Sequence, residues 1–68
     1  MLKRIQADFD ERAMERLLWL MHRTEAASYA ETLKNSLRFY KLLLEQVDAG
    51  GQIIIRDKKG NEKEILPI

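Results

Sequence analysis

"RIQADFDER", residues 4–12, decides how this chain is read. Ile5, Ala7 and Phe9 alternate with Arg4, Gln6 and Asp8, which is the period of two of a β-strand. From Asp10 onward the apolar spacing becomes that of a helix. A strand over residues 3–8 cannot stand alone, because its backbone N–H and C=O groups need partners. The rest of the sequence has to say where that partner comes from, and what Arg4 and Gln6 do on the polar face.

Sixty-eight residues make one small domain. A chain of this size buries only about 60% of the surface its unfolded form exposes, so its core is marginal. Small folds compensate with disulfides, metals or oligomerisation. There is no cysteine and a single histidine, which excludes disulfides and any Cys- or His-rich metal site. Oligomerisation is the remedy that remains. The missing cysteines fit a reducing cytosol, no signal peptide is visible, and no apolar run approaches the roughly 18 residues of a membrane span. A cytoplasmic location is therefore expected. The net charge is +1, so the overall balance does not by itself announce nucleic acid. Charge is also even along the chain: residues 1–47 carry eight basic and seven acidic groups, and residues 48–68 carry four of each.

The first helix is expected to start at Asp10, whose carboxylate can accept from the free N–H groups of the first turn. Phe9 and Met14 are spaced as a hydrophobic staple around that cap, and Asp8 is the alternative cap. Ala13, Met14, Leu17, Leu18, Leu20 and Met21 fall on one broad apolar face. Trp19 falls opposite, among Arg12, Glu15 and Arg23. It is expected to be half covered by other parts of the fold. The alternative is a contact residue for a partner, since Trp is enriched at interface hot spots.

Ser28-Tyr29-Ala30-Glu31 has the form of a capping box. A second helix is expected from Ser28 or Tyr29 to Val47 or Asp48. Tyr29, Ala30, Leu33, Leu37, Tyr40, Leu44 and Val47 form its main apolar face, with Phe39 and Leu42 on the other side. A helix apolar nearly all round is normally buried on more than one side. Gly50 is placed for the left-handed position that ends such a helix. Beyond it, "QIIIRDKKGNEKEIL" reads as a β-hairpin over residues 52–66, with β-branched Ile53 to Ile55, a turn at Lys59-Gly60-Asn61, and Pro67 as terminator. The chain thus separates into a strand-helix-helix part, residues 1–49, and a hairpin extension, residues 50–68.

Two pairings suit strand 3–8. It can join the hairpin in a three-stranded sheet, or pair antiparallel with its own copy in a second chain. The second is favoured, since one homodimer meets the needs of the strand, the doubly apolar helix and the small core together.

In order and spacing, "KRIQADF", "MERLLWLM" and the capped "SYAETLKNSLRFY" resemble the ribbon-helix-helix repressors of the Arc, MetJ and CopG group. The resemblance covers residues 2–47; no single motif is diagnostic, and the tail after Gly51 lies outside it. It implies a mostly helical α+β fold, a homodimer with an intermolecular antiparallel ribbon, and double-stranded DNA as partner, read in the major groove. Ile5, Ala7, Phe9, Leu17, Leu33, Leu37 and Tyr40 would then form the dimer core. Arg4, Gln6 and Asp8 would face bases: Arg pairs with guanine O6 and N7, Gln with adenine N6 and N7, and Asp only with cytosine N4. The N–H groups near Ser28 and Tyr29 would clamp a phosphate, with Lys3 adding a second contact. Asp8 stands where the family usually has a neutral or basic residue, and Glu25 and Glu31 bring negative charge near the clamp. A second implication therefore stands beside DNA-dependent regulation: an antitoxin-like or accessory protein-interaction module, with Trp19, Phe39, Leu42 and Ile54 as candidate partner contacts.

Other chemistries find no support. His22 has no second ligand at metal spacing, Ser28 and Ser36 have no positioned base, and Gly50-Gly51 lacks the Lys-Ser/Thr of a phosphate loop. Arg56, Lys58 and Lys59 are interrupted by Asp57 and read as a solvated turn. No catalytic constellation and no cofactor motif is present.

Overall fold

Residues 2–68 are described by a computed structural model. They form a small, mostly helical α+β fold with the order α1 (Glu11–Thr24), α2 (Tyr29–Asp48), β1 (Ile53–Arg56) and β2 (Glu62–Ile65). Two units are distinguished, one running to Leu33 and the other Lys34–Ile68, so α2 belongs to both. No helix among the described residues is long and apolar enough to cross a membrane.

Both helices begin where their side chains can satisfy the first N–H groups. Asp10 is the N-cap of α1 and accepts from the Ala13 N–H at 2.8 Å. The alternative cap, Asp8, is not used. Ser28 Oγ accepts from the Glu31 N–H at 3.1 Å and opens α2. The other half of the box is displaced: Glu31 accepts from the N–H of Ala27, not of Ser28, at 2.9 Å.

The two helix ends use one bonding pattern with different residues. After α2, the Gly50 N–H donates to Val47 O and the Gly51 N–H to Gln46 O, each at 3.0 Å, around Gly50 at φ +89. After α1, the Glu25 N–H donates to His22 O at 3.4 Å and the Ala26 N–H to Met21 O at 3.1 Å, around Glu25 at φ +57. Both are Schellman ends. Glycine enters the left-handed region freely, whereas a residue with a Cβ is strained there.

In the first unit, Leu17 (7% exposed) and Thr32 (4%) are the buried residues. Ala13, Met14 and Met21, on the same face of α1 as Leu17, are half-buried. In the second unit no described residue is fully buried; Leu43, Leu44, Val47, Ile53, Ile65 and Pro67 are half-buried.

The sheet has two antiparallel strands in the register Ile53↔Ile65, Ile54↔Glu64, Ile55↔Lys63 and Arg56↔Glu62. Its turn starts earlier than the sequence reading placed it. The Gly60 N–H donates to Asp57 O at 3.1 Å and the Asp57 N–H to Asn61 O at 2.9 Å, with Gly60 at φ +91. This is a type I turn from Asp57 to Gly60, closed by a left-handed glycine. Asp57 Oδ1 also accepts from the N–H groups of Lys59 and Asn61, both at 2.9 Å, and its Oδ2 from Asn61 Nδ2 at 3.1 Å. Arg56 and Glu62 add an ion pair of 2.9 Å across the strands.

Candidate nucleic-acid interface

Residues 2–10 carry no helix or strand in the single chain. An antiparallel strand exists only when another strand takes its N–H and C=O groups, and no third strand joins the sheet among the described residues. Every residue from Leu2 to Asp10 is exposed, on the apolar as on the polar side, and Ile5 is 88% exposed. Lys3, Arg4, Gln6 and Asp8 make no hydrogen bond or ion pair among the described residues, where the single ion pair is Arg56–Glu62. Arg4 therefore presents an uncommitted guanidinium fork and Gln6 an uncommitted amide, the two groups suited to reading purine edges.

The start of α2 differs from a bare anion-binding helix end. Its cap leaves the N–H groups of Tyr29 and Ala30 without a partner among the described residues. Two residues before Tyr29, the Ala27 N–H already donates to the Glu31 carboxylate. That carboxylate occupies the positive end of the helix, where a phosphate would also be favoured, and it repels a second anion. Tyr29 is half exposed and Ser28 is engaged as cap.

Of the residues expected in a dimer core, Leu17 alone is buried in the single chain. Ala7, Phe9, Leu33 and Tyr40 are exposed, and Leu37 is 67% exposed. Leu33, Leu37, Tyr40, Leu44 and Val47 recur at spacings of four, three, four and three, the seam along which one helix meets another.

The candidate partner contacts are all open. Trp19 is 65% and Phe39 62% exposed, and Leu42 and Ile54 are exposed as well. The expectation that the rest of the fold half covers Trp19 is thus corrected. Its neighbours one turn away on α1 are Glu15, Arg16, His22 and Arg23, all exposed, and none is large and apolar. Phe39 and Leu42 border a shallow hollow on α2 that also takes in Arg38, Lys41 and Glu45. Ile54 and Arg56 lie on one face of the hairpin, Ile53 and Ile55 on the other, as alternation requires.

Sequence reasoning missed two polar centres. Asp57 organises the hairpin turn; the signal was an Asp three residues before a Gly, a type I pattern. Hydrogen bonds from the backbone and then the side chain of Asn61 hold its carboxyl below the ordinary value of 3.8. Glu25 carries a left-handed backbone that nothing in its residue type announces. No cluster of three or more His, Cys, Asp or Glu able to hold a metal occurs among the described residues. Comparison with protein-family models, curated proteins and solved structures finds no match for this chain.

Proposed function

We propose that this chain is a small homodimeric DNA-binding regulator of transcription. The N-terminal strands of two copies pair into an antiparallel ribbon that enters the major groove. The observation that carries this reading is the state of residues 2–9. Their apolar side chains are open to solvent, their backbone has no ladder, and Arg4 and Gln6 are held by nothing among the described residues. A second copy satisfies the backbone and the apolar face together, and leaves the polar face for bases. The seam on α2, exposed at Leu33, Leu37 and Tyr40 and half-buried at Leu44 and Val47, supports the same dimer, as does the likeness in order and spacing to ribbon-helix-helix repressors. Lys3 and the N–H groups at Tyr29 and Ala30 serve as phosphate contacts.

A second reading is a protein-interaction module, antitoxin-like or accessory, on the same dimer. The Glu31 carboxylate bonded to the Ala27 N–H favours it, because it places an anion in the clamp. Binding of the purified full-length chain to genomic DNA fragments across a salt series separates the two. In the first reading Arg4→Ala costs about 1–3 kcal/mol at the specific site and relaxes base preference there. Asp8→Asn raises non-specific affinity by removing a charge that repels phosphate. Absence of any salt-sensitive DNA binding by the unaltered chain leaves the second reading.

A further inference from the structure

The two edges of the hairpin are chemically unlike. The outer edge is Glu62-Lys63-Glu64 along β2, an unbroken run of charges of the kind that blocks strand addition. The edge along β1 is Ile53-Ile54-Ile55, three β-branched residues with no charge before Arg56. No further strand pairs with it among the described residues, where the sheet has two strands, and Ile54 and Ile55 are exposed. A hairpin of two strands is at best marginally stable in water, and further strands are what stabilise it.

The backbone says which groups are free on that edge. Asp57 turns its N–H inward, to Asn61 O. Antiparallel strands alternate, so Ile55 and Ile53 also turn inward, while Ile54 and Arg56 turn their N–H and C=O outward. An incoming antiparallel strand must oppose its own outward residues to these.

We propose that β1 of a second copy of this chain occupies the edge, about a two-fold axis through Ile54, giving a four-stranded sheet in the order β2-β1-β1-β2. In this register Ile54 meets the partner's Ile54, Ile53 meets the partner's Ile55, and Gln52 meets the partner's Arg56. Outward groups oppose outward groups, every isoleucine opposes an isoleucine, and no like charges meet. A two-fold centred on Ile55 sets Ile54 against Arg56 and Ile53 against Asp57. One centred on Ile53 sets Ile54 against Gln52. Pairing β2 with the partner's β2 about Lys63 sets lysine against lysine and glutamate against glutamate. Among these two-fold pairings, the one through Ile54 matches by type and leaves only the charged β2 edges outside. It stands apart from the proposed DNA reading: it needs no DNA contact.

The test uses the full chain with Ile54→Cys, a lone thiol because no cysteine is otherwise present. Across a hydrogen-bonded antiparallel pair the Cα atoms lie about 5.5 Å apart, within disulfide range. Mild oxidation should convert most of the chain to a disulfide-linked dimer, while Ile55→Cys, which faces the partner's Ile53, should not link. In the unaltered chain the amides of Ile54 and Arg56 should exchange at least about tenfold slower than unstructured amides, although β2 does not bond them. Free exchange at Ile54 and Arg56 overturns the proposal. So does slow exchange without the Ile54→Cys link, which means that a different strand occupies the edge. Linking through Ile55→Cys instead overturns the register.

Discussion

Two stretches of this chain alternate with the period of a strand, residues 3–8 and residues 53–65, and only the second forms a sheet within one chain. Their composition does not explain the difference. Both alternate or cluster β-branched and apolar residues, and both carry charges. The hairpin has Asp57, whose carboxylate gathers the N–H groups of Lys59 and Asn61 and so returns the chain antiparallel to itself. The ion pair of Arg56 with Glu62 adds little, because the Arg56 side chain is mostly exposed and that of Glu62 about half exposed, so water screens it. Residues 3–8 run directly into the cap of α1 at Asp10, and no turn delivers a neighbour to them. Alternation fixes which side chains share a face; local turn chemistry decides whether the partner strand lies in the same chain.

Proline should have the largest effect, and a different one in each stretch. Gln6→Pro removes a donor from the proposed ribbon, and if dimer and fold form together, as that proposal requires, it should abolish cooperative unfolding and most helical circular dichroism. Ile55→Pro removes a donor that faces β2 and should unravel the hairpin while leaving the helical signal in place. Equal effects of the two substitutions would end the distinction between an intermolecular and an intramolecular strand.

Smaller changes sharpen the account at the ends of the helices. Ser28→Ala deletes the cap bond to the Glu31 N–H and should destabilise the fold by about 1 kcal/mol in denaturant titration. Glu25→Gly should act in the opposite direction, by about 0.5–1 kcal/mol, because glycine adopts φ +57 without Cβ strain. The net gain is reduced by the greater freedom of glycine in the unfolded chain.

The smallest effect is one of pH. Asp57 is held below its ordinary 3.8, so its folded carboxyl stays ionised in acid that protonates the unfolded one. Its contribution to the hairpin is complete above the ordinary value and is lost as pH falls through the lowered one. The Lys59 and Asn61 amide resonances should therefore titrate together below pH 3.8. In Asp57→Asn they should not titrate in that range.

Much of this was legible in the residues. Asp10, Ser28 and Gly50 stop or start helices by rules that depend on one side chain or its absence, so the helix limits could be read closely. The hairpin was legible from its isoleucines and its glycine. The start of its turn at Asp57 was misplaced because the reading centred on Lys59-Gly60-Asn61 and passed over the carboxylate two residues earlier. Glu25 could not be read, because its left-handed backbone follows from the Schellman bonds to His22 and Met21 and not from any propensity of glutamate. The displaced partner of Glu31 was hidden for a related reason: the box pattern names the acceptor side chain, while the geometry of the Ala26–Ser28 connection decides which N–H it meets. Trp19 was misjudged because a general tendency of tryptophan to be covered was applied to a helix face whose neighbours are charged. In the candidate interface, residues 2–10 are exposed on both sides of the alternation, so exposure alone does not mark Arg4 and Gln6 as a separate face, and pairing with a second chain would be a property of two molecules.

A sample mixed from isotope-labelled and unlabelled full-length chains reports nuclear Overhauser effects that arise only between copies. An antiparallel ribbon predicts such effects between residues 4–8 of the labelled chain and residues 4–8 of the unlabelled one, reaching across Cα pairs about 4.5–5.5 Å apart. A folded sample in which residues 3–8 give no effect between chains, and which sediments as a monomer at micromolar concentration, would contradict the account.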